Sequence, residues 1–172
     1  MRYKNARVSE IDTKIKEIIE KNLIREESGD VTIQRGIVFY GDVGRGKTYA
    51  MYAIRNGLTA VKGNQSEVKT WQEFLFAMKL HYSDPKTNRN ELENLKDKAV
   101  IYIDDLGVEK DTEYTQEMLY MIINHCYVQE KALFITTNLS IEELNEKYTE
   151  RITSRLLEMC DIYQMTGDNK RI

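Results

Sequence analysis

The chain is poor in the residues that staple or interrupt structure. Among 172 residues it has one proline, two cysteines, two histidines and one tryptophan. Cys126 and Cys160 stand apart with no C-x-x-C pattern, and His81 and His125 add too few ligands for a structural zinc site. Both cysteines read as reduced, partly buried thiols of a cytoplasmic protein. Pro85 is the lone proline, and no linker rich in Pro, Gly or Ser and no internal repeat divides the chain. Long hydrophobic runs are missing too. The longest, Met118 to Ile123, falls far short of the about 20 residues that span a membrane, so no membrane partner is expected. No apolar stretch follows Arg2, Lys4 and Arg7, so no signal peptide is expected. Neither charge sign dominates: 25 Lys and Arg against 28 Asp and Glu give a net charge of −3. That excludes a whole-protein attraction to nucleic acid and leaves only a local basic channel for such contact. With 41% hydrophobic and 31% charged residues, the composition is that of a soluble globular chain, of a length that suits one domain.

Against this background one stretch stands out. Gly36 to Tyr40 is a short apolar run, and Gly41-Asp-Val-Gly-Arg-Gly-Lys-Thr48 behind it fits G-x-x-x-x-G-K-[ST], the phosphate-binding loop. Glycines let successive backbone N–H groups turn inward around a phosphate, and the helix that follows adds its positive N-terminal end. The candidate nucleotide ligands are Gly41, Asp42, Val43, Gly44, Arg45, Gly46, Lys47 and Thr48, with Tyr49 opening the helix. Lys47 can reach the β- and γ-phosphates, and the Thr48 hydroxyl can ligate Mg²⁺.

Hydrophobic periodicity places the remaining elements. Ser9 to Ile24 reads as an amphipathic helix with Ile11, Ile15, Ile18, Ile19 and Leu23 on one face, Ser9 and Asp12 near its cap, and Ser28-Gly29-Asp30 as the turn that ends it. Tyr49 to Leu58 is a helix, and Val68 to Thr70 a short strand. Thr70 with Glu73 makes a capping box for a helix to about Tyr82, whose Trp71, Phe74, Leu75, Met78 and Leu80 are expected in the core. A polar loop over Ser83 to Asn90 and a helical turn over Glu91 to Asp97 lead to the buried strand Ala99 to Ile103. Thr112 to Tyr127 is a long helix and Ala132 to Thr137 a second buried strand. Ser140 and Glu143 cap a helix to about Tyr148; a helix over Arg151 to Met159 and a strand over Asp161 to Met165 follow. Five strands alternating with helices imply an α/β sandwich, a three-layer P-loop NTPase with a mostly parallel five-stranded sheet.

The strand ends carry the rest of the chemistry. Asp104-Asp105 closes the strand Ala99 to Ile103. A P-loop NTPase needs a carboxylate there for Mg²⁺ and a group that orients the attacking water. Asp104 is the candidate metal ligand beside Thr48, and Asp105 the candidate facing the γ-phosphate; the bland alternative is a strand end that caps a turn. Asn138, after the next buried strand, would reach the same sheet edge and polarise the water, or simply serve a turn. Arg151 and Arg155 lie four apart on one helix face. Either could supply a cation to a neighbouring subunit's γ-phosphate, or pair with Glu150 or Glu158 on the surface.

Taken together, these residues resemble the AAA+ ATPase domain of bacterial helicase loaders of the DnaC and DnaI kind, and of the related IstB-like transposition helpers. Arg2-Tyr-Lys-Asn-Ala6 is similar to the family's opening segment. Gly41 to Thr48 matches Walker A, and Val100 to Gly107, ending in Asp-Asp-Leu-Gly, matches Walker B. Ile135-Thr-Thr-Asn138 resembles sensor 1, Glu150-Arg-Ile-Thr-Ser-Arg155 the arginine-finger box, and Gly167-Asp-Asn-Lys-Arg171 the sensor 2 segment. The resemblance implies ATP and Mg²⁺ as ligands and Asp105, Asn138, Arg155 and Arg171 as catalytic groups. Arg155 would act in trans from a second copy of the chain, so the resemblance implies a homo-oligomer. It implies single-stranded DNA and a replicative DNA helicase as partners, with double-stranded DNA as the alternative for an IstB-like protein. A small P-loop phosphotransferase, or a nucleotide-binding regulator without turnover, remains an alternative of another class. The expected organisation is one AAA+ domain over residues 1–172, residues 1–30 forming an N-terminal helix that leads into the core, with no separate helicase-binding domain. Asp105 stands where AAA+ proteins at large carry glutamate, so slow hydrolysis is expected.

Overall fold

A computed structural model describes residues 3–58, 64–83 and 91–167. A 3₁₀ turn (Val8–Glu10) precedes α1 (Thr13–Asn22), and a small hairpin pairs β1 (Leu23–Arg25) with β2 (Val31–Ile33). The main body follows as β3 (Gly36–Tyr40), α2 (Lys47–Gly57), β4 (Asn64–Thr70), α3 (Trp71–Ser83), α4 (Glu91–Lys96) and β5 (Lys98–Leu106). It is completed by α5 (Glu113–Val128), β6 (Ala132–Thr137), α6 (Ile141–Lys147), α7 (Glu150–Met159) and β7 (Cys160–Gln164).

Strands β3 to β7 form one five-stranded sheet in the order β4-β5-β6-β3-β7, with every pairing parallel. Strand β6 therefore lies between β3, which leads into the phosphate loop, and β5, which carries the two aspartates. The sheet is covered on both sides, which is why its central strands read as unbroken apolar runs. Alternate residues serve alternate faces. Val38, Ile101, Ile103, Leu133 and Ile135 share one core cluster with Trp71 and Phe74 of α3, Leu119, Ile122 and Ile123 of α5 and Leu156 of α7. Ile37, Phe39, Tyr102 and Phe134 share the other with Ile15 of α1 and Ala50, Met51 and Ile54 of α2. Trp71 is fully buried as a packing residue. Among the described residues no helix is long and apolar enough to cross a membrane.

Several expectations need correction. Helix α1 begins at Thr13, not Ser9, because Asp12 is the N-cap and accepts from the Lys14 N–H at 2.8 Å. It ends at Asn22: Leu23 and Ile24 belong to β1, paired with Ile33 and Thr32, and Ser28 to Asp30 is the hairpin turn. Leu80 is 48% exposed and lies outside the core. The Asp104-Asp105 pair lies within β5, which continues to Leu106. The predicted caps at Thr70–Glu73 and Ser140–Glu143 are present, with paired hydrogen bonds of 2.7 and 3.2 Å in each. A third, Thr112–Thr115 at the head of α5, went unread. Most of the predicted Ser83–Asn90 loop falls outside the described residues.

Gly36 shows how tightly β3 and β6 meet: a Cβ there would lie 1.8 Å from the Leu133 carbonyl oxygen. Relief requires the two central strands to part. Gly36→Ala is expected to destabilise the fold by about 3 kcal/mol or more, read from urea unfolding; a change near zero would mean that the strands separate freely at this point.

Candidate functional site

Parallel pairing brings the C-terminal ends of β3, β5 and β6 to one edge of the sheet, where α/β folds collect ligands. The loop behind β3 turns on glycines. Gly44 and Gly46 adopt φ of 84° and 91°, in the left-handed region, and Gly46 is the N-cap of α2. Gly41 has φ of 130°, and a Cβ there would meet the Met165 carbonyl oxygen at 2.6 Å, so no side chain fits. Lys47 is buried and its Nζ donates to the Gly41 and Asp42 carbonyls at 2.5 and 2.8 Å, which holds the ammonium over the loop.

The oxygen atoms around Asp104 form the centre of the site. Asp104 is buried, at 6% exposure. Thr48 Oγ1, in the first turn of α2, donates to Asp104 Oδ1 at 3.0 Å. Thr136 Oγ1, on β6, donates to the same oxygen and accepts from the Asp105 N–H at 2.9 Å. Burial raises the Asp104 pKa above the usual carboxylate range; the Thr136 hydrogen bond opposes that, the Asp105 charge adds to it, and the Thr48 hydrogen bond opposes it again. A hydroxyl and a carboxylate are hard oxygen donors, which suits Mg²⁺ completed by water and substrate phosphates. Among the described residues no group of three or more His, Cys, Asp or Glu gathers elsewhere as a competing metal cage.

A cleft of about 470 Å³ opens beside these groups. Val43, Gly44, Gly46, Lys47, Thr48 and Tyr49 line it together with Asp105 and Asn138, so the phosphate loop and the two strand-end candidates share one space. Tyr3 and Glu10 line it as well, and the Tyr49 hydroxyl donates to the Glu10 carboxylate. Gly41, Asp42 and Arg45 do not line it; Asp42 and Arg45 form an ion pair at 3.1 Å.

Arg155, predicted as a catalytic group, lies apart from the cleft. Arg155, on α7, sits over the rings of Tyr120 and Tyr127 of α5, with centroid distances of 5.0 and 5.4 Å. The alternative, an ion pair of Arg155 with Glu150 or Glu158, is absent among the described residues, and Arg155 does not line its own chain's cleft. Its Nη1 is buried with no hydrogen-bond partner. Arg151 is exposed on the same helix. Arg171 lies outside the described residues. The group missed in the sequence was Thr136. Its signal was its place in the Ile135-Thr-Thr-Asn138 run, where two hydroxyls end an otherwise apolar strand; the strand order that sets it beside Asp104 is not written locally.

A phosphate loop at one strand end, a carboxylate across an inserted strand and a parallel five-stranded sheet define a P-loop ATPase fold of the AAA+ class. The sequence profile of the bacterial DnaA ATPase domain matches residues 23–160, and the chain belongs to that family. It is 28% identical over 150 residues to the replicative helicase loader DnaI of Bacillus subtilis, covering 80% of this chain and 48% of that protein. The fold superimposes on the crystal structure of the DnaC helicase loader with a TM-score of 0.80 at 23% identity, covering 96% of this chain and 99% of that one. Against AMPPCP-bound DnaA from Aquifex aeolicus the TM-score is 0.72 at 26% identity, covering 96% of this chain and 50% of that one. The chain thus spans about half the length of the curated relatives it matches.

If Asp104 holds Mg²⁺, proton and metal would compete for its carboxylate, and Mg²⁺-dependent nucleotide affinity is expected to fall as pH drops through the raised Asp104 pKa. Thr136→Val removes a hydrogen bond that lowers the pKa, so the fall should move to higher pH. Mg²⁺ titrations with a fluorescent ATP analogue across pH measure both; a pH-independent affinity would remove Asp104 from the metal site.

Proposed function

We propose that this chain is an ATP-hydrolysing replication protein of the helicase-loader kind, cytoplasmic and assembling with copies of itself on single-stranded DNA. The observation that carries this is the convergence of Thr48, Asp104 and Thr136 beside a cleft that also holds the phosphate loop, Asp105 and Asn138. ATP is the substrate. Its phosphates would take the loop amides and Lys47, while Thr48 and Asp104 would hold Mg²⁺, which would neutralise charge on the transferred group. Asp105 accepts the proton of a water whose oxygen bonds to the γ-phosphorus as the β–γ bridge breaks, giving ADP and phosphate. Asn138 orients that water through its amide.

Arg155 is proposed to act on the site of a second copy and Arg171 to read the nucleotide in cis. The position of Arg155 on α7, outside its own cleft, supports the trans role. Such a cation is worth about 10³-fold or more in other ATPases and GTPases, so hydrolysis should depend on assembly. The names of the relatives support a replicative helicase as the protein partner, with ATP favouring the assembled, DNA-gripping state and hydrolysis releasing it.

Phosphate release measured against protein concentration tests this. Specific activity should rise with concentration and rise further with single-stranded DNA. Asp105→Asn should lower kcat by about 10²-fold or more with ATP affinity retained. Stimulation by double-stranded DNA alone would favour a transposition-helper role, ATP consumed without free phosphate a phosphotransferase, and concentration-independent activity would exclude the trans arrangement.

A further inference from the structure

The irregular end of β5 that carries Asp105 is held by a buried ion pair with no part in the ATP chemistry above. Strand β5 shifts register against β6 between Ile103 and Leu106. Within the shift Asp105 adopts φ of 54°, and Gly107 follows at 99°. A residue with a side chain persists at such a φ only where its surroundings hold it. Two restraints come from β6: Thr136 Oγ1 accepts from the Asp105 N–H, and Thr137 Oγ1 donates to the Leu106 carbonyl at 2.7 Å.

The third restraint comes from a different part of the fold. The Gly107 N–H donates to Glu109 Oε2 at 3.0 Å, and the Gly107 carbonyl accepts from Lys147 Nζ at 2.8 Å. Glu109 and Lys147 also pair with each other, Oε1 to Nζ 3.5 Å, with side-chain exposures of 4% and 18%. Lys147 Nζ donates to the Glu109 carbonyl at 2.9 Å, and the Tyr148 hydroxyl donates to Glu109 Oε1 at 2.5 Å. Both backbone polar groups of Gly107 are thus gripped by opposite charges, Glu109 in the loop behind β5 and Lys147 at the C-terminal end of α6.

Burying an ion pair is costly, and well-packed apolar residues often stabilise a fold as well or better. What the pair supplies that apolar residues cannot is directed hydrogen bonding to one backbone segment. The geometry points to Glu109 and Lys147 as positioning residues for Asp105, acting through Gly107 to hold the strained end of β5 in the one conformation that aims the carboxylate into the cleft. The inference rests on the reading of Asp105 as the group that takes the proton of the attacking water.

The experiment compares kcat and ATP affinity, at saturating protein concentration, for Glu109→Gln, Lys147→Met and Lys147→Arg beside Asp105→Asn. Leu95→Ala, a core truncation on α4, serves as the control for lost stability. Glu109→Gln and Lys147→Met should lower kcat about tenfold to a hundredfold, with ATP affinity within about twofold. Lys147→Arg, which keeps a charge to grip the carbonyls, should retain most activity, and Leu95→Ala should lower Tm without moving kcat. Hydrogen exchange over Asp105 to Gly107 should accelerate in Glu109→Gln and Lys147→Met. Normal kcat in both, beside a slow Asp105→Asn, overturns the inference and leaves the role of Asp105 standing. Normal kcat in Asp105→Asn overturns that role and the inference with it. Should Glu109→Gln fail to fold, Lys147→Met decides the matter, since its side chain is the more exposed of the two.

Discussion

The Asp104 carboxylate is the constraint on which the site depends. It is buried, so ionising it costs several kcal/mol unless its oxygens are satisfied, and the ionised form is what a metal requires. Two hydroxyls offset part of that cost, each hydrogen bond to a charged group contributing about 1.5–3 kcal/mol. They come from different elements: Thr48 from α2 directly behind the phosphate loop, and Thr136 from β6. One oxygen atom therefore fixes the distance between the loop, the acid strand and the strand between them. Thr136 does a second task by accepting from the Asp105 N–H, which links the Asp104 carboxylate to the conformation of the next residue.

Strand order makes this arrangement available. Were β3 and β5 neighbours, no side chain from a strand between them could approach Asp104. With β6 inserted, its C-terminal end supplies Thr136 to the carboxylate and Thr137 to the Leu106 carbonyl, and the next residue, Asn138, reaches the cleft. The run Ile135-Thr-Thr-Asn138 thus has a role at each of its last three positions. The same sheet edge leaves Arg155 elsewhere. Its guanidinium lies over two tyrosine rings of α5, an interaction worth about 0.5–2 kcal/mol that fixes the side chain against its own fold while leaving one nitrogen without an acceptor.

Much of this was legible in the residues, for identifiable reasons. The central strands announced themselves because burial on both faces demands continuous apolar runs, and the loop because only glycine tolerates its backbone. The β1–β2 hairpin was missed because three-residue strands carry too little alternation, while Ile19 and Leu23 continued a helical spacing past the true end of α1 at Asn22. Thr136 escaped notice because its importance comes from a neighbour 32 positions away in sequence, across a strand pairing that no local pattern encodes. Glu109 and Lys147 are of the same kind: ordinary charged residues in sequence, 38 positions apart, made significant by the turn they grip. Tyr120 and Tyr127 share a helix face, but nothing local tells that Arg155 of another helix lies across both.

The proposed ATP site is built from two copies of the chain, one supplying the cleft with Asp105 and the other Arg155. Mixing two variants tests it most directly. Arg155→Ala keeps an intact cleft but offers no arginine, and Asp105→Asn keeps the arginine but has a disabled cleft. Each should release phosphate slowly alone, and the mixture should recover a substantial part of the wild-type rate, because some sites then combine an intact cleft with an intact arginine. A mixture no faster than the sum of its parts, or full activity in Arg155→Ala alone, would contradict the account.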